Sequence, residues 1–416
     1  MQKIAKFSLF LVVLVDVMGQ GLGFPIFNTL LMDQGTGFLP PDTPTAQRHL
    51  LYGLLIAVFF LSWFLGSVYI SRISDSLGRR TGLLLCLSGV LAGYVLTVLA
   101  LLWDSYLLLI LSRVVTGFMS GNQPIAQAAM VDMAKNDADR TRNLAYVVSG
   151  VYFGLVVGPI IGGALSDTAL LPGLASLALP FYVGTALVIL TLGMVAFFFK
   201  DPMQERVPLR LHPMEIFKLL WDITKQPTVM RILPSYALFM FTGNTFFIFM
   251  DNYLTAEFKI MTTGNSAAML VFGATLAATS LLVVPILAKR ATKQQAVMFG
   301  CGLMTVSIIA FALAPTVTLA FVCIVPMAAA FAIGYPNFLG LFSASVGPDK
   351  QGWVMGVSVA FFTLPAGITS AISGRIIALN LDAPFYMGAA TTVLALILVL
   401  VLWRTQDVRA IATVSD

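Results

Sequence analysis

Two charged groups sit where charge is expensive. Asp16 lies in an apolar run, Asp16-Val17-Met18-Gly19-Gln20-Gly21-Leu22-Gly23-Phe24-Pro25, about nine residues after the run begins. As a helix, that is roughly 13–14 Å deep, near the middle of a hydrocarbon core about 30 Å thick. A charge there costs on the order of 3 kcal/mol. A carboxyl at this depth either takes up and releases a proton or only hydrogen-bonds a neighbouring helix. Arg113 is the second such group, about seven residues into another apolar run. Arginine stays protonated, so it needs a carboxylate, carbonyl oxygens or water. Near Asp16 it would tune that carboxyl, and apart from it release it, which makes a two-state switch; the alternative is a static ion pair. Gln20, and Gln123 with Gln127 one helical turn apart, would add polar lining.

A third set surrounds the short connection Ser74-Asp75-Ser76-Leu77-Gly78-Arg79-Arg80. Asp132 ends a different apolar run, where the helix dipole disfavours a carboxylate unless a cation pairs with it. Arg79 is the natural cation; the plainer reading makes Arg79 and Arg80 topology anchors. A fourth set is Gly154, Gly158, Pro159, Gly162 and Gly163. Small residues at this spacing let helices pack backbone to backbone, and the proline removes a donor and bends the helix. In the second half of the chain Asn244 and Asp251, seven apart, share a helical face, with Asp251 near the end of its run. Tyr335 and Asn337 flank Pro336, and Arg375 ends a later run. Gln20, Gln123, Gln127, Asn244, Asp251, Tyr335 and Asn337 are the candidates for a cavity wall. For Asp251 an interfacial position is the competing reading. Phe246, Phe247 and Phe249 could line an apolar pocket.

These residues need elements to hold them. The 416-residue chain is 58% hydrophobic and only 10% charged, with a mean hydropathy of +0.92. A soluble domain carries roughly 25% charged residues, so this is a membrane protein. Twelve runs are long enough to cross: 7–31, 50–71, 81–103, 106–133, 143–165, 179–199, 232–256, 265–288, 295–313, 317–343, 353–378 and 385–403. Lipid offers the backbone no hydrogen-bond partners, and the alternating strands of a membrane barrel are absent. An all-α bundle of twelve transmembrane helices is expected. The first run is longer than the apolar part of a signal peptide and ends without a small-residue cleavage site, so it reads as a retained helix.

The formal charge of +5 reports topology rather than nucleic-acid binding. Twenty of the 24 Lys and Arg residues fall on one side, and only Arg48 and Lys259 on the other. That asymmetry places both termini in the cytoplasm. The longest polar connection, 200–231, reads as a cytoplasmic linker with a short interfacial helix at 214–221. It divides two six-helix bundles, 1–199 and 232–416. Cys86, Cys301 and Cys323 lie in apolar runs and suggest no disulfide framework. His49 and His212 form no metal-ligand cluster. No nucleophile–base or metal constellation points to an enzyme, and no cofactor or metal is expected.

Four segments, in order and on the expected helices, resemble the major facilitator superfamily, and within it the twelve-helix drug:proton antiporters of the tetracycline-efflux type. They are the Asp16–Pro25 stretch (D-x-M-G-x-G-x-x-x-P), Ser74–Arg80 (S-D-x-x-G-R-R), Arg113–Gly117 (R-x-x-x-G) and Gly154–Gly163 (G-x-x-x-G-P-x-x-G-G). The resemblance covers about residues 10–165. It implies two pseudo-symmetric six-helix bundles in a plasma (inner) membrane. It links Arg113 to proton transfer with Asp16, implies that Asp75, Arg79 and Asp132 latch the halves, and makes the glycine–proline stretch an antiporter element. It thereby implies proton-coupled export of a small, partly apolar compound by a monomer. The alternatives are an uptake permease or proton symporter for a nutrient or siderophore, or a non-transporting receptor. A receptor explains the helices but not two buried charges. The chain also departs from the pattern. Ser71 stands where glycine is usual. Gly93, before Tyr94, stands where tetracycline exporters carry an acid, and the eighth run lacks the histidine some of them have. Tetracycline itself is therefore not the expected substrate.

Overall fold

The computed structural model describes residues 2–135, 137–201, 221–260, 262–347 and 350–412. Among these all regular structure is helical: α1 (Gln2–Met32), α2 (Thr45–Leu77), α3 (Arg79–Leu102), α4 (Tyr106–Phe118), α5 (Asn122–Asp132), α6 (Asp137–Ser166) and α7 (Leu179–Phe198), then α8 (Pro227–Phe258), α9 (Thr262–Ala278), α10 (Val284–Ala288), α11 (Lys293–Ala312), α12 (Val317–Ala344), α13 (Gln351–Leu379), α14 (Ala383–Leu402) and α15 (Gln406–Ala412). Eleven of the described helical segments, with α9 and α10 counted as one, are long and apolar enough to cross a membrane.

The remaining crossing, the fourth in chain order, is broken. The helix expected over 106–133 is two helices, α4 and α5, parted at Met119–Gly121. Ser120-Gly121-Asn122-Gln123-Pro124 explains the break. Glycine is permissive, and proline is best tolerated in a helix's first turn, where Pro124 stands in α5. The end of α4 also packs close on α2: a Cβ on Gly66 would collide with the Phe118 carbonyl oxygen. The eighth crossing has a π turn, Thr279–Val283, between α9 and α10.

The chain forms two compact units. One comprises Met1–Pro213 with Ile260–Leu270, the other Met214–Lys259 with Val271–Asp416. The first half of α9, to Leu270, thus belongs with the N-terminal unit. Most of the 200–231 connection, including nearly all of the interfacial helix expected at 214–221, lies outside the described residues.

In the N-terminal unit a four-residue repeat on α6 meets a four-residue repeat on α1. A Cβ on Gly150 would lie 2.8 Å from Phe10 O, on Gly154 2.7 Å from Leu14 O, on Gly158 2.5 Å from Met18 O and on Gly162 3.1 Å from Leu22 Cα. The two backbones touch along four turns, as small-residue stripes permit. Gly21 returns the contact, 2.8 Å from Pro159 Cδ by the same measure. Arg48, one of the two basic residues on the sparse side, is buried rather than solvated. It donates to the carbonyls of Leu31, Pro40 and Thr43 and ties the α1–α2 loop to its helices.

In the C-terminal unit, α8 runs beside α13, tied by Tyr236 Oη donating to Ser358 O (2.9 Å) and Asn244 Nδ2 to Phe362 O (2.7 Å). Thr242 Oγ1 joins α8 to Gly388 O of α14 at 2.8 Å. Phe246 and Phe249, candidates for a substrate pocket, are buried instead. Phe246 packs edge-to-face on Phe311, with ring centroids 4.9 Å apart. Two aromatic faces buried against each other are core. Phe247 is tilted against Phe272.

Candidate functional site

The glycine contact with α6 holds the α1 segment that carries Asp16. Asp16 Oδ1 accepts a hydrogen bond from Asn122 Nδ2 at 3.1 Å. Asn122 opens α5, so the broken fourth crossing brings this amide to the acid. Asn122 is fully buried, and its own Oδ1 has no partner.

Arg113, on α4, is 6% exposed. Its guanidinium donates to Thr97 Oγ1 of α3 (3.1 Å) and Ser112 Oγ (3.3 Å). Each of those hydroxyls donates in turn to a carbonyl, Thr97 to Gly93 O and Ser112 to Leu109 O, leaving lone pairs for arginine. The guanidinium carbon lies 4.6 Å from the Phe27 ring centroid, a cation–π contact. The cation is thus solvated by hydroxyls and a ring. No salt bridge joins it to Asp16 among the described residues.

Asp16 and Arg113 nevertheless line one cavity of about 30 Å³, together with Gly19, Gln20, Phe24, Phe27, Tyr94, Thr116 and Ser120. That is room for roughly two waters. Tyr94 points its hydroxyl in without a partner, and a Cβ on Gly19 would sit 2.2 Å from that oxygen. Gly19 is therefore glycine to admit Tyr94. Gly93 is small for a related reason: a Cβ there would lie 2.1 Å from Thr116 Cγ2. This packing leaves no room for the acid that tetracycline exporters carry at that place. The arrangement sets an acid and a fixed cation on one small, mostly apolar cavity, with no ion pair between them. An acid so placed can exchange a proton with cavity water while the neighbouring charge biases it.

The charged residues around the Ser74–Arg80 connection come together. Arg79 Nε meets Asp132 Oδ2 at 3.0 Å, and its other nitrogen bonds Asp75 and reaches the Ser74 hydroxyl. Gly78, at φ +102°, makes the turn that sets Arg79 beside Asp75. Arg80, read as an anchor, also donates to Ala196 O of α7. The Ser71 side chain lies outside the described ones.

On α6, Gly154, Gly158 and Gly162 face α1, whereas Gly163 faces α9: a Cβ there would sit 2.8 Å from Ser266 Cβ. Beside it Thr262 Oγ1 donates to Thr29 Oγ1 at 2.6 Å and Thr263 Oγ1 to Asp167 Oδ2 at 3.0 Å. The Ala169 amide and the Thr263 hydroxyl hold the exposed Asp167 carboxyl below the usual carboxylate range.

The remaining candidates scatter. Gln20 lines the Asp16 cavity; Gln123 and Gln127 are half-buried on α5 and do not. Asn244 is committed to the α13 backbone. Tyr335 stacks on Phe331 at 5.6 Å, and Asn337 bonds back to Ile333 O in its own helix. Asp251 is 0% exposed, enclosed by its own unit. The Arg375 side chain lies outside the described ones. The sequence reading missed Asn122 as the partner of Asp16 and Tyr94 as a cavity group. The signal for Asn122 was the polar, helix-breaking Ser120–Pro124 stretch inside an apolar run.

A helical, multi-pass protein with intramembrane charges around a buried cavity is a membrane transporter rather than an enzyme. The sequence profile of the Major Facilitator Superfamily matches residues 9–369, and the chain belongs to that superfamily. It is 24% identical over 388 residues to the quinolone resistance protein NorA of Staphylococcus aureus (strain MRSA252), covering 90% of this chain and 94% of NorA. It is 26% identical over 365 residues to the class C tetracycline resistance protein of Escherichia coli, covering 86% of each. In fold it resembles the human organic anion transporter MFSD10 (TM-score 0.73, 18% identity, 95% of this chain and 99% of that one). It also resembles a D-xylose–proton symporter (TM-score 0.74, 13% identity, 96% and 98%).

Proposed function

We propose that the protein exports a small, partly apolar organic compound in exchange for protons. Asp16 carries the proton, and Arg113 biases it as the protein alternates between two states of access. The observation that carries this reading is the shared cavity: a half-buried acid and a buried cation line it together without an ion pair between them. The resistance proteins among the relatives and the Gly154–Gly163 signature support export over uptake. Likeness to a sugar symporter speaks for the fold alone.

In this reading residues 1–199 and 232–416 are the two moving halves, joined by a cytoplasmic 200–231 connection. Both termini are cytoplasmic in an inner membrane, and one chain suffices. Asp75, Arg79 and Asp132 act as a latch that engages in one state of the cycle.

The test is purified protein in liposomes under an imposed pH gradient, with organic compounds screened in both directions. Gradient-driven export that Asp16→Asn abolishes is the expected result. Transport indifferent to pH on both sides, or an Asn variant as active as the parent, would remove the proposal.

A further inference from the structure

Arg113 keeps hydrogen-bonding capacity that no described group uses. A guanidinium carries five N–H donors. Here Nε meets Ser112 Oγ and Nη2 meets Thr97 Oγ1, while Nη1 makes no hydrogen bond among the described residues. The residue is 6% exposed, and Phe27 covers one face of the group. Its open donors lie on the outer edge of the fork, the edge that meets a carboxylate or another anion end-on.

A second donor reaches the same space. Tyr94 is 3% exposed, its hydroxyl has no partner, and it lines the cavity with Arg113. The other hydroxyls on that wall are committed: Thr116 donates to Ser112 O at 2.7 Å and Ser120 to Thr116 O at 2.8 Å. Arg113 and Tyr94 thus bring unused protons to one space. The described acids of the N-terminal unit do not pair with this cation. Asp75 and Asp132 pair with Arg79, and Asp33, Asp42, Asp104, Asp167 and Asp201 lie in the connections between helices. Asp16 is on the cavity wall, but its bond is to Asn122.

A cation this deep gains most from a partner that is fully charged and accepts several hydrogen bonds at once. We propose that Arg113 and Tyr94 form a binding site for a small monovalent anion, either a halide or the carboxylate head of a larger molecule. Charge and size set the class. One guanidinium balances one negative charge. A cavity of about 30 Å³, room for roughly two waters, suits a halide or a two-oxygen head better than a tetrahedral oxyanion, which also has more charge to desolvate. Phe24, Phe27 and Phe59 on the same wall offer apolar contact to whatever a carboxylate carries. The site goes beyond the export reading and does not depend on Asp16 carrying protons. An ionised Asp16 opposes an anion on this wall, so removing that charge favours binding.

The test is thermal unfolding of the full-length protein in lipid nanodiscs. Gluconate buffer is held at constant ionic strength, and gluconate is replaced stepwise by chloride, formate or benzoate. The expected result is a saturable rise in melting temperature with chloride and with formate. Tyr94→Phe should weaken the apparent affinity about tenfold, Arg113→Gln should abolish the effect, and Asp16→Asn should keep or strengthen it. If Arg113→Gln does not fold, Tyr94→Phe carries the readout, together with the 35Cl resonance of wild-type protein, broadened by bound chloride and sharpened again by formate. Benzoate binding more tightly than formate would assign the anion to the head of an aromatic acid; chloride acting where benzoate does not would assign it to a free ion. A rise that never saturates, or that Tyr94→Phe and Arg113→Gln both retain, would overturn the site. An anion effect in a protein whose liposome transport ignores pH would remove the export reading alone. Transport driven by pH in a protein with no anion effect would remove this site alone.

Discussion

Gly158 of α6 lies flush against Met18 of α1: a Cβ added to the glycine would sit 2.5 Å from the Met18 carbonyl oxygen and 3.1 Å from Gly21 Cα. Backbone cannot yield as a side-chain tip can. Asp16 is two residues before Met18, so the depth and rotation of the acid are set by a glycine on another helix.

Gly158→Val should therefore displace α1 and disturb the Asp16 cavity. Overpacking of this kind costs about 1–3 kcal/mol. The expected result is a lower melting temperature and at least roughly a tenfold loss of transport. Gly193→Ala on α7, where nothing lies within 4 Å of the added carbon, is the control and should be neutral in both assays.

Arg113→Lys keeps the charge but loses the planar group that spans Thr97, Ser112 and the Phe27 ring. Arginine and lysine are not interchangeable at stacked sites. Turnover in the liposome assay should fall about tenfold or more while the protein stays folded, as judged by its elution profile and melting curve. Wild-type turnover in the lysine variant would mean that charge alone matters at this place.

Reversing the charge at Arg79 sets a carboxylate beside Asp75 and Asp132. The partners are part-exposed, so the loss of stability should be modest, about 1 kcal/mol. The cycle should suffer more than the fold: transport slows while ligand binding, followed by fluorescence quenching, persists. Unchanged turnover would discard the latch.

Asp167 supplies a pH dependence whose sign can be worked out. The Ala169 amide and the Thr263 hydroxyl depress its folded-state value. The group then stabilises its contacts above the ordinary carboxylate range, and that contribution disappears as pH falls through the depressed value. Hydrogen exchange at the Ala169 amide, corrected for intrinsic rates, should stay protected from neutral pH down to about 4 and lose protection below it. Asp167→Asn should be flat over the same range. Wild-type exchange that tracks the variant would show that the carboxylate holds nothing there.

Arg48 should be the costliest of the loop residues to remove. It is 2% exposed and serves three carbonyls. Arg48→Ala leaves the buried Leu31 carbonyl unmet, at about 1–3 kcal/mol before water enters, while the carbonyls of Pro40 and Thr43 lie nearer the surface and can turn to water. Thermal unfolding of the purified variant should show a drop of several degrees, with little change at Lys259→Ala, whose side chain caps its own helix end.

Much of this architecture was legible in the residues themselves. Whether a segment crosses a bilayer depends on its own hydropathy, a local sum. Which way it crosses depends on the basic residues at its ends. Both can be read without knowing what packs where, and so can a glycine stripe with a four-residue period. The partners of the charged groups belong to a different kind of fact. Asn122 reaches Asp16 only because the fourth crossing breaks at Gly121. Arg113 is held by hydroxyls and a ring rather than by the acid. Gly163 turns from the α1 seam toward Ser266, and Asp251, so near the end of its run that the surface seemed its place, is wholly enclosed. Each of these depends on residues distant in the chain being brought within a few ångströms, and hydrogen bonds and close packing act only at that range. The sequence by itself determined which segments are apolar and long enough to enter the membrane; the tertiary structure alone decided what each intramembrane charge meets there.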